Sequence, residues 1–156
     1  MWLGLVLTAV SLPVPFVPQE KDACAAAALA MVLRYWEHPI PQAEIAAVLL
    51  EPELHGIQGS RLAAFARERG FTAIAYAGDR AQLEDYLAKG RPLIVAWRLG
   101  RNRYHDVVVV GVDPERGDVL VHDPADGASR HVSRAAFEAR WSGAGHWTLL
   151  VLPNPK

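Results

Sequence analysis

Residues 93–124 read LIVAWRLGRNRYHDVVVVGVDPERGDVLVHDP, and this stretch decides the fold class. Leu93-Ile94-Val95-Ala96-Trp97 is a short, continuous apolar run of the kind that forms a buried strand. Gly100-Arg101-Asn102-Arg103 is a turn. Tyr104 to Val112 form a second strand, and the unbroken Val107 to Val110 place it at the centre of its sheet. Asp113-Pro114-Glu115-Arg116-Gly117-Asp118 has the residues of a hairpin turn, after which Val119-Leu120-Val121-His122 return antiparallel. Pro124 and Gly127 break the pattern.

Outward from this core the period changes. Downstream, Ser133 is placed to cap a short helix carrying Phe137 and Trp141, and Trp147 to Leu152 form a final strand. Upstream, Ala25 to Trp36 are rich in strong helix formers. Asp22 is the expected N-cap, and the helix should run to about Glu37, ahead of Pro39. Pro41 suits the first turn of a second helix with Ile45, Val48 and Leu49 on one side. Pro52 and the Gly56-Ile57-Gln58-Gly59 segment form a loop, and Ser60 caps a helix with Leu62, Phe65 and Ala66 inside and Gly70 as its stop. Phe71 to Ala77 read as a strand. Asp79 caps a helix from Arg80 to Lys89, closed by Gly90, with Leu83, Tyr86 and Leu87 on its apolar face. A helical N-terminal half packed on an antiparallel sheet from the C-terminal half is an α+β layout in two layers.

The 156 residues are 51% hydrophobic and 21% charged, a globular composition with enough chain for a real core. The net charge of −1 and the lack of a Lys/Arg-rich block argue against nucleic acid or an anionic membrane as partner. Arg98, Arg101 and Arg103 read as a solvated loop. Trp2 to Val10 are apolar but too short to span a bilayer. Their length suits the core of a signal peptide, although no basic residue precedes them. Residues 1–13 therefore read as a signal-peptide remnant or an N-terminal arm, and residues 14–156 as one domain. Export to the periplasm is preferred over a cytoplasmic location.

Cys24 is the only cysteine. It excludes an internal disulfide and leaves the redox compartment open. In the first turn of a helix a thiol meets unpaired N–H groups and the positive end of the dipole, which favour the anionic form that attacks carbonyls. Tyr104-His105-Asp106 and His122-Asp123-Pro124 follow downstream. A lone cysteine with a distant histidine and carboxylate is the material of nucleophilic catalysis.

Plainer readings stand beside these. Alanines flank Cys24, so it also reads as a small core hydrophobe. Gln19 alone reads as an exposed loop residue. Asp106 competes with Asp123 as partner of His105, but adjacent strand residues point to opposite faces. The same alternation separates His122 from Asp123. Trp36, Trp97, Trp141 and Trp147 are core packing or walls of a cleft. His38, His55, His131 and His146 have no evident partner. His105, His122 and Asp123 have ligand chemistry, but no CxxC, HExxH or close histidine pair accompanies them, so neither metal nor cofactor is expected.

Taken together, the residues resemble the bacteriocin-processing, double-glycine leader peptidase domain, a family of papain-like cysteine peptidases. The stretches that carry the likeness are Val14 to Gln19, Cys24 to Trp36, Tyr104 to Val112, His122-Asp123-Pro124, and Phe137, Trp141, Gly143 and Gly145-His146-Trp147. The resemblance implies a papain-like fold and a thiol protease. It implies that Cys24 is the nucleophile and His105 the general base that later protonates the leaving amine. Asp123 then orients the imidazole, and Gln19, with the Cys24 N–H, donates to the oxyanion. It further implies a peptide substrate cut after small residues at a Gly-Gly type site, as in a double-glycine leader, and a peptide-export transporter as partner. No transmembrane span and no GxxxxGK[ST] loop occurs, so the chain is similar to free-standing bacterial members. Where the family usually has glycine after the cysteine, this chain has Ala25, whose methyl is expected to narrow the approach to the thiol. Two other functions fit the residues: a catalytically inactive peptide-binding domain on the same fold, and a thiol amidase or acyltransferase.

Overall fold

Valine at four consecutive positions means that a strand is wetted on neither face, and the computed structural model shows why. It describes residues 10–155; Trp2 to Ala9, most of the expected arm or signal remnant, lie outside the described residues. In chain order, β1 (Val10–Ser11) leads to helices α1 (Cys24–Tyr35), α2 (Gln42–Leu49) and α3 (Gly59–Glu68), with a 3-10 turn at Pro52–Leu54. β2 (Phe71–Ala77) and α4 (Arg80–Ala88) follow. The rest is β3 (Leu93–Gly100), β4 (Arg103–Val112), β5 (Val119–Asp123), β6 (Gly127–Val132), α5 (Arg134–Ser142) and β7 (Trp147–Pro153).

The strands form one antiparallel sheet in the order β2-β7-β3-β4-β5-β6, with β1 added beside the end of β4. Helices α1 to α3 cover one face, where Leu29, Leu33, Ile45 and Phe65 pack on Ile94, Val108, Val110 and Leu149. Helices α4 and α5 cover the other, where Leu83, Phe137 and Trp141 pack on Val95, Trp97, Val107 and Val109. The fold is α+β, but in three layers, because the alternating side chains of the valine run feed two cores at once. β2, from the helical half, joins the sheet at its edge by pairing along its whole length with β7.

Local chemistry explains most boundaries. Asp79 and Ser133 cap α4 and α5, accepting from Gln82 N at 2.8 Å and Ala136 N at 3.2 Å. Two expected caps are corrected. Ala23, not Asp22, precedes α1, and Asp22 adopts a positive φ of 57° with its carboxylate 3.3 Å from His55 Nδ1. Gln58 precedes α3, so Ser60 lies inside the helix and caps nothing. α2 buries Ile45 and Leu49, whereas Val48 is exposed. β6 was not expected: it is an outer strand whose Ala128 to His131 are exposed, so it has no apolar pattern to read.

α1 is buried all round from Ala25 to Leu33. Its alanines let the helix lie close against the sheet, as a fully enclosed helix requires. Tyr35 Oη donates to Gly90 O at 2.7 Å and Trp36 Nε1 to Val151 O at 2.9 Å, which fastens the far end. The near end, Cys24, faces an opening at the mouth of the sheet.

Candidate active site

Cys24 is the residue at which α1 emerges from the core: it is half-buried, and every residue from Ala25 to Leu33 behind it is buried. It opens onto a cleft of ≈ 520 Å³ whose inner wall includes Gly59, Ala96, His105, Asp106 and Trp147, with Leu54 and Tyr104 at the rim. The core-hydrophobe reading of Cys24 does not describe this position. Ala25 is 2% exposed and packs into the α1-side core, so its methyl points away from the cleft and narrows nothing.

His105 is near the start of β4, paired across to Trp97 of β3. The β4–β5 register sets Val108 opposite His122, so the next residue of β5, Asp123, returns to the face that carries His105. There Asp123 Oδ1 accepts a hydrogen bond from His105 Nε2 at 2.6 Å. The same oxygen accepts from Ala125 N at 2.9 Å, which fixes the carboxylate in the turn that follows β5. The two side chains are only 11% and 16% exposed. With Nε2 engaged, Nδ1 is the ring nitrogen left to face the sulfur.

Electrostatics follow from this packing. Burial alone pulls the imidazole pKa of His105 down. The hydrogen bond to Asp123 and then the contact with Cys24 outweigh it and hold the group up at about 9. Burial likewise pushes the Asp123 carboxyl up, but the bonds from His105 and Ala125 hold it below the usual carboxylate range. At neutral pH the site is therefore a cationic ring between a carboxylate and a sulfur. A set of this kind can activate a thiol and return a proton to a leaving group.

His122 does something else. It is buried; its Nε2 donates to Val14 O at 2.7 Å and its Nδ1 accepts from Ser129 N at 3.0 Å. Both nitrogens are used in binding the N-terminal segment to β5 and β6. Gln19 sits beside the turn that follows Asp123 and is not part of the cleft wall. Its backbone N donates to Pro124 O at 2.9 Å. Its side-chain amide makes one long contact, Nε2 to Glu20 O at 3.5 Å, and leaves Oε1 buried without a partner among the described residues. Amide oxygen and nitrogen exchange places on a flip of the group.

Asp106 points to the opposite sheet face from His105, as strand alternation requires, and its side chain makes no hydrogen bond or ion pair among the described residues. Three histidines expected to lack partners have them: His55 with Asp22, His131 with Asp118 at 3.8 Å, and His146 with Glu138 at 2.6 Å. His38 packs edge-on against Phe71. Trp97 and Trp141 are core, while Trp147 walls the cleft. The contributions of Leu54, in the 3-10 turn, and Gly59, at the start of α3, come from the path of the connection between α2 and α3, for which the sequence carried no signal. Among the described residues, no group of three or more His, Cys, Asp or Glu could hold a metal ion, and no helix is long and apolar enough to cross a membrane.

Residues 11–148 match the model of the Peptidase_C39 like family. No curated protein matches the chain. Among solved structures, a putative C39-like peptidase from Bacillus anthracis is 20% identical with a TM-score of 0.76, over 95% of this chain and 99% of that one. A double glycine motif protease from an AMS/PCAT transporter, solved with its leader peptide, is 24% identical with a TM-score of 0.75, again over 95% and 99%. The peptidase domain of Streptococcus ComA, a bifunctional ABC transporter of a quorum-sensing pathway, is 23% identical with a TM-score of 0.75, over 88% and 97%. At these identities the likeness is one of fold: helices around an antiparallel sheet in the papain-like arrangement.

Proposed function

The chain belongs to the Peptidase_C39 like family, and on that premise we propose that it is a thiol peptidase that cuts a peptide after small residues, at a Gly-Gly type site. The observation that carries this reading is the position of Cys24 at the open end of α1, beside a His105 ring whose far nitrogen is held 2.6 Å from Asp123.

In this mechanism the Cys24 sulfur attacks the scissile carbonyl carbon, and its electron pair forms the new C–S bond as the carbonyl electrons move onto oxygen. In this reading the Cys24 N–H, at the start of α1, and the Gln19 amide donate to that oxygen. Turned so that its NH₂ occupies the partnerless buried position, Gln19 finds in the oxyanion the acceptor it otherwise lacks. Collapse of the intermediate breaks the C–N bond, and His105 protonates the departing amine. Water then attacks the thioester, His105 takes its proton, and the acid leaves. Asp123 keeps the ring oriented and stabilises its charge throughout.

The open cleft and the buried Ala25 methyl favour this reading over a binding-only domain. Solved relatives described as double glycine motif and transporter peptidases support the substrate class, and with it a peptide-export system as the source of substrate. Peptides containing one Gly-Gly pair, incubated with the protein and analysed by mass spectrometry, test it. Cleavage after the pair that is lost in Cys24→Ser is expected. Alkylation of Cys24 with no peptide cut would overturn hydrolysis, and transfer of the acyl group to an added amine would make the protein an acyltransferase.

A further inference from the structure

Three half-buried residues lie side by side on the α1 face of the sheet at the floor of the cleft. Asp106 of β4 pairs directly with Ala96 of β3. β3 and β7 pair Val95 with Thr148, so Trp147 stands next in register beside Ala96. All three line the same cleft as Cys24. The row therefore reads carboxylate, methyl, indole. Adjacent strands are about 4.8 Å apart, so carboxylate and indole flank a trough about 10 Å across with only a methyl between them.

The carboxylate is out of place by ordinary rules. A desolvated acid costs stability unless it is paired. Asp106 has no side-chain hydrogen bond or ion pair among the described residues, and it is the one carboxylate among the described residues lining the cleft. The other titratable groups there are Cys24, His55, Arg103, Tyr104 and His105. His105 points to the other face of the sheet, and Arg103 makes no ion pair with Asp106. Burial pushes the Asp106 carboxyl up to about 6, with the His105 cation pulling the other way, so at neutral pH it is an anion with no ion-paired or hydrogen-bonded partner among the described residues. The proposed mechanism does not use it.

We propose that Asp106, Ala96 and Trp147 form a subsite for a lysine or arginine side chain of the peptide, within two residues of the scissile bond. The aliphatic stem lies over Ala96 and against the Trp147 ring, and the cationic head reaches Asp106. Long basic side chains bury their stems in this way while their charge finds a partner. The subsite adds a charge requirement to the small residues at the cut. It rests on the peptidase reading, and its test separates the two.

Equal-length peptides with one Gly-Gly pair are compared, with lysine or its neutral near-isostere norleucine placed in turn at each of the two positions that follow the bond. The expected result is a Lys:norleucine ratio in kcat/KM of about ten or more at one position, the scale of one charge-assisted bond. The ratio should fall toward one in Asp106→Asn and in Asp106→Ser. Ratios near one at every position in the wild type, or a ratio kept in both variants, would overturn the proposal. A second measurement needs no cleavage: the rate at which Cys24 reacts with cationic 2-aminoethyl methanethiosulfonate relative to neutral methyl methanethiosulfonate. This rate ratio should fall several-fold on Asp106→Asn. A fall with no peptide cut removes the hydrolase and keeps the anionic subsite. Cleavage with flat ratios in both assays keeps the hydrolase and removes the subsite.

Discussion

The indole of Trp147 lies directly on Gly59: a Cβ built on that glycine meets the ring at 2.6 Å. Glycine at the start of α3 is thus what allows Trp147 to close one side of the cleft. Gly59→Ala forces the ring aside, and overpacking of this kind costs about 1–3 kcal/mol. Trp147 is anchored in β7, so the wall moves rather than the strand. Denaturant unfolding should register the loss, and peptide kinetics should show KM rising several-fold more than kcat falls. Unchanged stability and KM would mean that the ring has room to spare.

Gln19→Ala should lower kcat by about two to three orders of magnitude with little change in KM, the usual result of deleting one oxyanion donor. Because the Gln19 backbone N–H to Pro124 is untouched by the change, folding should be preserved. A kcat within a factor of two of wild type removes Gln19 from the chemistry.

Asp123→Asn separates the two halves of the His105 pKa shift. The folded imidazole at about 9 lies above its unfolded 6.5, so its stabilising contribution is complete below 6.5 and is lost as pH rises through about 9. The lowered Asp123 contributes above its unfolded 3.8 and is lost on acidification. The stability difference between wild type and variant should therefore be greatest between about pH 4 and 6.5, of order 1–2 kcal/mol, and shrink above pH 9. In the variant the basic limb of the kcat/KM profile should move to lower pH. A pH-independent difference would show that the pair is not an ion pair in the folded protein.

Asp106→Asn should stabilise the protein. The folded carboxyl at about 6 lies above its unfolded 3.8, so ionisation costs stability progressively as pH rises from about 4 to 6 and fully above that. Discounted for the water that reaches the cleft, the gain at pH 7.5 is of order 1 kcal/mol, and it should vanish near pH 3. Thermal unfolding at the two pH values measures it. Destabilisation at pH 7.5 would show that Asp106 has a partner inside the fold.

Much of the site could be read from the chain because its residues mark element ends. Cys24 follows a Pro-rich extended segment and opens an alanine helix; His105 precedes the valine run; Asp123 closes the return strand. Element ends are where periodicity changes, and that change is visible in one dimension. The third layer was not legible, since Val107 to Val110 look the same whether one core or two receives them. β6 was hidden because an outer strand of Ala128, Ser129, Arg130 and His131 has no apolar face. Asp22 and Ser60 looked like caps by type, but a cap is decided by backbone angles. The trough was invisible for another reason: Asp106, Ala96 and Trp147 belong to three strands, and only register brings them level.

The hydrogen bonds from His122 to Val14 and from Gln19 to Pro124 have a bearing on how the molecule comes into being. They stitch the segment just ahead of the thiol to the end of β5, across more than a hundred residues of intervening chain. Contacts so distant along the chain form late in folding, after the hairpins and helices they join. A growing or half-collapsed chain thus holds Cys24 distant from His105 and Asp123. In the proposed mechanism, therefore, Cys24 gains its partners only with the finished tertiary structure.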